Sequence, residues 1–182
     1  MIGYPGSGKT TTSELIAQLA GATHINADYE RRVMFGEPTH HATESRKLYD
    51  HLNRTTDMLL SEGESVVFDT SFNFIRDRDN LRAIAARHNA SVIVVWVKVP
   101  KPLARKRALS AQHASSNNYS RIMAEKDFER IASHLQAPSA AESAIVLDGT
   151  MITTEYLCKA LGLNQSHTKK PSARRLTNPA KS

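Results

Sequence analysis

Residues 3–10, "GYPGSGKT", restrict the fold more than any other stretch, because Gly3, Gly8, Lys9 and Thr10 complete the pattern G-x-x-x-x-G-K-[ST]. Each residue type has a chemical reason. Glycines let backbone N–H groups curl closely around phosphate oxygens, Lys9 brings a point charge to the β and γ oxygens, and Thr10 offers a hydroxyl to Mg²⁺. The helix continuing through "LIAQLA" aims its N-terminal amides and dipole at the same anion. The nucleotide-binding set is therefore Gly3, Pro5, Gly6, Ser7, Gly8, Lys9, Thr10 and Thr11. A parallel strand of about five residues should lead into such a loop, yet only Met1 and Ile2 precede it. Either the recorded start lies downstream of the true one or the strand is very short, so a truncated first strand is expected.

Beyond the loop, strand and helix patterns alternate without an internal repeat or an interdomain linker. Leu15, Ile16 and Leu19 mark one face of the first helix, and "ATHIN" reads as a strand ending at Asp28. A short helix is expected from Tyr29 to Phe35, broken by Gly36 and Pro38. A long helix to about Glu62 follows, with Leu48, Leu52, Thr55 and Leu59 as its buried stripe. "SVVFD" reads as a strand, "TSFNF" as a loop, and Arg76 to His88 as a helix with Leu81, Ile84 and Ala85 inward. The whole of "SVIVVWVKV" reads as a buried strand, and Pro100 and Pro102 introduce a helix through "LARKRAL". "AQHASSNNYS" lacks apolar periodicity and reads as a mobile loop. A helix carrying Ile122, Met123, Phe128, Ile131 and Leu135 then runs toward Pro138, before a last strand "AIVLDG" and a last helix "EYLCKALGL".

Continuous Val and Ile runs separated by helices predict an α/β fold, a parallel sheet covered on both faces. Ligands of such sheets lie beyond the carboxyl ends of the strands, where the loop at Gly3, Asp28 and Asp69 are all expected. Asp69 ends "SVVFD" and suits a Mg²⁺-holding acid, against the plainer role of capping the next turn. Asp28 in "INADYERR" can accept a proton from an incoming hydroxyl, with Arg31 one helical turn away for an acidic substrate; a solvated pair at a helix start is the competing reading. Among Arg105, Lys106 and Arg107, the choice for a lid contact stabilising transferred charge is Arg107, with Arg105 and Arg121 as substitutes, against a solvated cationic face. His40 and His41 lack partners at metal-ligand spacing and read as loop residues.

Charge bears on partners. The net charge is +6, but Lys169, Lys170, Arg174, Arg175 and Lys181 lie in a tail without acids; removing those five from the 24 basic residues leaves 19 against 18 acids. Residues 1–163 therefore form one nearly neutral domain and 164–182 a basic tail expected to be disordered. The tail, or the acceptor site, keeps nucleic acid open as a partner, although the domain lacks the basic and aromatic stripe of a long nucleic-acid track. No apolar run is long enough to span a bilayer, no secretory signal is evident, and Cys158 is the lone cysteine. No membrane partner and a cytoplasmic location are expected.

Taken together, "GYPGSGKTT", "INADYERR", "VVFDTSFNFIRDR" and "VWVKVPKPLARKR" resemble, in order and over about the first 110 residues, small AAA-like P-loop kinases of the 5′-hydroxyl polynucleotide kinase type. Chloramphenicol phosphotransferase and the zeta-toxin kinases are related to that group. The resemblance implies a P-loop NTPase three-layer sandwich with about five parallel strands, ATP and Mg²⁺ as cofactors, and γ-phosphate transfer to a hydroxyl, of a polynucleotide 5′ end or a small molecule. It implies Lys9 and Arg107 as catalytic cations, Asp28 as general base, Arg31 on the substrate phosphate, and Thr10 and Asp69 at the metal. Thr70, Asn73 and Arg78 would line the acceptor site. The family often has a second lid arginine four positions after the first, where this chain has Ala111. Two other readings stay open: a nucleotide-binding ATPase or switch without an acceptor, and an inactive relative.

Overall fold

The computed structural model describes residues 1–110 and 123–163. The stretch read as a mobile loop, the substitute lid residue Arg121 and the basic tail lie outside the described residues.

The glycine loop leads into α1 (Lys9–Ala20), which ends at Gly21 in the left-handed region, φ 61°, with its N–H donated to the Ala17 carbonyl. Strand β1 (Thr23–Asn26) runs into α2 (Ala27–Phe35) with no intervening loop. Asp28, expected at a strand end, is therefore the second residue of a helix, because the Asn26 side chain accepts from the Tyr29 N–H and starts the helix two residues early. Next come α3 (Ala42–Ser61), β2 (Val66–Asp69) and α4 (Ile75–Arg87). They are followed by β3 (Val95–Lys98), α5 (Lys101–Ala108), α6 (Glu125–Ser133), β4 (Ile145–Asp148) and α7 (Thr154–Leu161).

Strands β1 and β2 pair in parallel with Asn26 opposite Asp69, and β3 and β4 pair in parallel with Lys98 opposite Asp148. Ile2 joins the two halves: it bridges Trp96 in parallel, donating to the Val95 carbonyl at 2.8 Å and accepting from the Val97 N–H at 2.9 Å. On its other side the Met1 nitrogen bonds the Phe68 carbonyl at 3.3 Å. Among the described residues the expected five-strand sheet is thus two parallel pairs, β1 with β2 and β3 with β4, with the bridged residue Ile2 between them. "SVIVVWVKV" also shortens. β3 begins only at Val95, since its partners begin there too, and Val92 and Ile93 are 45% and 59% exposed.

Both faces of the sheet are covered. Ile2, Ile25, Leu48, Leu52, Phe68 and Phe72 pack beneath α3, while Ile16, Leu19, Val97, Leu147 and Leu157 pack between the sheet, α1 and α7. The stripe expected on α3 is the stripe it buries: Leu48, Leu52, Thr55 and Leu59. All four strands point the same way, so Asn26, Asp69, Lys98 and Asp148 share the edge at which the glycine loop turns into α1.

A candidate phosphoryl-transfer site at the carboxyl edge of the sheet

The glycine loop is shaped by close approach. Gly3, Gly6 and Gly8 all have positive φ (150°, 76° and 95°). A methyl group on Gly3 would come within 2.6 Å of both Ser7 Oγ and the Val97 carbonyl oxygen. On Gly6 it would fall on the Ala104 carbonyl and within 2.9 Å of the Ala108 nitrogen, so α5 presses directly on the loop. At Gly8 it would meet nothing within 4 Å; that side of the loop is an open cradle. Gly149, just after β4, closes the cradle from below, since a Cβ there would lie 2.6 Å from the Ser7 carbonyl oxygen.

Helix α1 starts without a side-chain cap and without an acid in its first turn, which leaves its leading amides available to an anion. Lys9 folds back over the loop, its Nζ donating to the Gly3 and Tyr4 carbonyls at 3.0 and 2.8 Å. Burial pushes the Lys9 ammonium down to about 8, and the charges of Asp69 and then Asp28 pull it partly back.

Asp69 is buried at the end of β2 and crowded with donors. Asn26 Nδ2 donates to its Oδ2 at 2.8 Å, His24 Nε2 lies 3.3 Å from the same oxygen, and the Thr10 hydroxyl lies near the carboxylate. Burial pushes this carboxyl up, but the bond and charge of His24, the Lys9 charge and the Thr10 hydroxyl outweigh it and hold the group below its usual range. Thr10 and Asp69, read from sequence as the metal pair, lie near one another. Their oxygens are the hard donors that Mg²⁺ takes alongside substrate phosphates, so they fit a magnesium nucleotide. Among the described residues no group of three or more His, Cys, Asp or Glu side chains forms a metal centre of its own.

Asp28 stands exposed on the first turn of α2. Its neighbour Arg31 is turned inward instead, with Nη1 2.6 Å from Glu44 Oε1 and the Ser45 hydroxyl at 3.3 Å; both members of the ion pair are about nine-tenths buried. Glu44 also accepts from Thr39 N and Oγ1 and from His40 N, which ties the turn before α3 to α2. Although burial raises it, these bonds, that of Arg31 first, hold the Glu44 carboxyl at about 2.

Arg78 is likewise engaged within the protein. It grips Glu142 through two bonds of 2.6 and 2.9 Å and donates Nη1 to the Phe72 carbonyl at 2.8 Å, while Arg82 adds a third bond to Glu142. Glu142 is held well below the usual carboxylate range, chiefly by Arg78. This knot fastens the turn that carries Thr70 and Asn73. Thr70 shares a 2.9 Å hydrogen bond with the Tyr49 hydroxyl, whose ionisation burial pushes up. Asn73 is 2% exposed and gives its amide to the Ile131 carbonyl at 3.4 Å.

Arg107 leans along the glycine loop, with Nη1 3.3 Å from the Gly149 carbonyl and its Cβ beside Gly6. Arg105, the substitute for a lid cation, is drawn outward into ion pairs with Glu125 and Glu129 of α6.

Several residues that build this edge went unread in the sequence. Asn26 carried a local signal, an N-cap residue directly before a helix with acids in its first turn. Glu142 carried one too, as the last residue of the Ser139-x-x-Glu142 capping box. Their partners Asp69 and Arg78 are 43 and 64 residues away, and no spacing rule reaches that far.

Comparison with known proteins agrees with this architecture. A family model described as an AAA domain matches residues 1–138. Solved structures with a similar fold include a candidate kinase from Chloroflexus aurantiacus j-10-fl, 20% identical, covering 88% of this chain and 94% of its own, TM-score 0.68. A sugar kinase from Janibacter sp. HTCC2649 is 21% identical over 91% and 94% of the two chains, TM-score 0.65. A gluconokinase from Sinorhizobium meliloti 1021 is 21% identical over 88% and 87%, TM-score 0.63. No curated protein matches the chain in sequence. No helix among the described residues is long and apolar enough to cross a membrane.

Proposed function

This chain belongs to the AAA-domain family, with the α/β fold of P-loop kinases, and from that premise we propose that it is an ATP-dependent kinase acting on a hydroxyl group. The observation that carries the reading is the glycine loop, with Lys9 folded over it, at the edge where Asp69 ends β2 and Asp28 lies in the first turn of α2. Of the two carboxylates one is buried and bonded by Asn26, the other exposed on a helix start. Their environments separate their roles. Asp69 suits a fixed metal acid and Asp28 a base open to an incoming substrate.

The P-loop amides and Lys9 would bind the β- and γ-phosphates of ATP, with Thr10 and Asp69 holding Mg²⁺. When bound, that ion neutralises phosphate charge. Asp28 takes the proton of the acceptor hydroxyl as its oxygen bonds to the γ-phosphorus, and the bond to the β–γ bridging oxygen breaks to release ADP. Arg107, beside the loop, supplies further positive charge to the transferred group, while Arg105 is engaged elsewhere. Arg31 and Arg78 shape the acceptor site through Glu44 and Glu142 rather than gripping a phosphate.

That last feature favours a small polyhydroxy compound over a polynucleotide 5′ end, because Arg31, the cation expected on a substrate phosphate, is spent on buried Glu44, and Arg78, expected to line the acceptor site, is spent on Glu142. The sugar-kinase and gluconokinase neighbours lean the same way. The test is γ-labelled ATP with neutral sugars, sugar acids, nucleosides and a 5′-hydroxyl oligonucleotide. Label should pass to a small hydroxyl compound, and Asp28→Asn should lower kcat by about 10²–10⁴. Wild-type turnover in Asp28→Asn overturns the base assignment; ATP hydrolysis that no acceptor suppresses favours the switch reading.

A further inference from the structure

Asn26 has one side chain and two obligations. It is the last residue of β1, placed opposite Asp69 by the strand register. Its Nδ2 donates to Asp69 Oδ2 at 2.8 Å, and its Oδ1 accepts from the Tyr29 N–H at 2.9 Å. Both partners fix the amide's orientation, since a backbone N–H can only donate and an ionised carboxylate can only accept. The same amide therefore holds the end of β2 and the opening turn of α2, where Asp28 sits between the two anchored residues. The Thr10 hydroxyl lies near the same carboxylate. Two hydrogen bonds thus link the end of β2, through Asn26, to the first turn of α2.

We propose that Asn26 is a positioning residue that registers the metal acid Asp69 against the base-bearing turn of α2. The proposal rests on the kinase reading above. Few other side chains could replace the amide. Serine and aspartate cap a helix about as well, but aspartate sets a second carboxylate against Asp69 and serine gives up the amide N–H. Alanine loses both bonds. His24, 3.3 Å from the same Oδ2, secures the carboxylate but touches no part of α2 in this way, so it shares only half of the role.

Asn26→Ser separates the two obligations, because it keeps a capping hydroxyl and removes the donor to Asp69. The full-length chain would be titrated calorimetrically with the ATP analogue AMP-PNP, with and without MgCl₂, and melted without ligand. Asn26→Ser should melt a few degrees below wild type, having lost one bond to buried Asp69, and bind metal-free AMP-PNP with unchanged affinity. Its apparent Mg²⁺ affinity should fall about tenfold, as expected when an outer-shell partner of a metal ligand is lost. Its kcat should fall while KM for ATP holds. His24→Ala should lose less Mg²⁺ affinity. If Asn26→Ser keeps the wild-type Mg²⁺ response, Asn26 is a helix cap only and the proposal falls. It also falls if melting temperature and metal-free binding drop together with Mg²⁺ affinity. If wild type itself binds the analogue no better with Mg²⁺, the metal role of Asp69 fails first and this role with it.

Discussion

Two helices begin at the same edge of the sheet, and they begin in opposite ways. Helix α1 opens on Gly8 in the left-handed region, with no side-chain cap, no acid in its first turn and Lys9 as its first residue. Helix α2 opens on Asn26, capped, with Asp28 and Glu30 in its first turn. A bare helix start presents amides and positive potential to an anion, whereas an acid-loaded one has already satisfied its own dipole. The first suits an anion and the second does not. The supports differ too. The α1 start is held by backbone packed against backbone, at Gly3, Gly6 and Gly149. The α2 start is held by side chains: the Asn26 amide and the Arg31–Glu44 ion pair.

The α1 side should therefore be intolerant of a single methyl group and the α2 side sensitive to loss of charge. Gly6→Ala should have the largest effect: a Cβ at φ 76° against the Ala104 carbonyl forces α5 off the loop. Strain and overpacking together should cost on the order of 4 kcal/mol in chemical denaturation, with loss of ATP binding by calorimetry. Wild-type stability in that variant would break the contrast. Arg78→Ala should come next, at about 3 kcal/mol, because Glu142 would stay buried with only Arg82 to pair it.

Acid sharpens the contrast further. Glu44 is held at about 2, below its ordinary 4.5, and Glu142 is depressed as well. Groups so depressed stabilise the fold fully above their unfolded-state values and lose that contribution as pH falls through the folded ones. Melting temperature should thus fall between about pH 4.5 and 2, and Glu44→Gln, less stable at neutral pH, should show a flatter decline. An identical slope in the variant would remove Glu44 from the account. The smallest effect belongs to Arg105→Ala, whose pairs with Glu125 and Glu129 are half exposed. It should change stability by no more than about 0.5 kcal/mol and leave ATP affinity as it is.

The nucleotide half of the edge was legible because its chemistry is local. Gly3 to Gly8 form one contiguous loop that runs straight into α1, and the glycines at 3, 6 and 8 serve its backbone conformation. The stripe on α3 and the strand at "VVFD" were legible for the same reason, since periodicity is a property of neighbours in sequence. Strand ends were not. "SVIVVWVKV" is apolar throughout, yet only Val95–Lys98 finds partners, and pairing depends on where Ile2 and Ile145 lie.

The chain itself dictated a glycine loop followed by a helix, an acid at the end of the strand Val66–Asp69 and a sheet of parallel order, because glycine geometry and side-chain period act within a few residues. Tertiary structure alone decided what the arginines do. Arg31 and Arg78 look equally free as letters, but burial beside Glu44 and Glu142 makes a paired charge far cheaper than a bare one, and the chain must fold before those carboxylates are within reach.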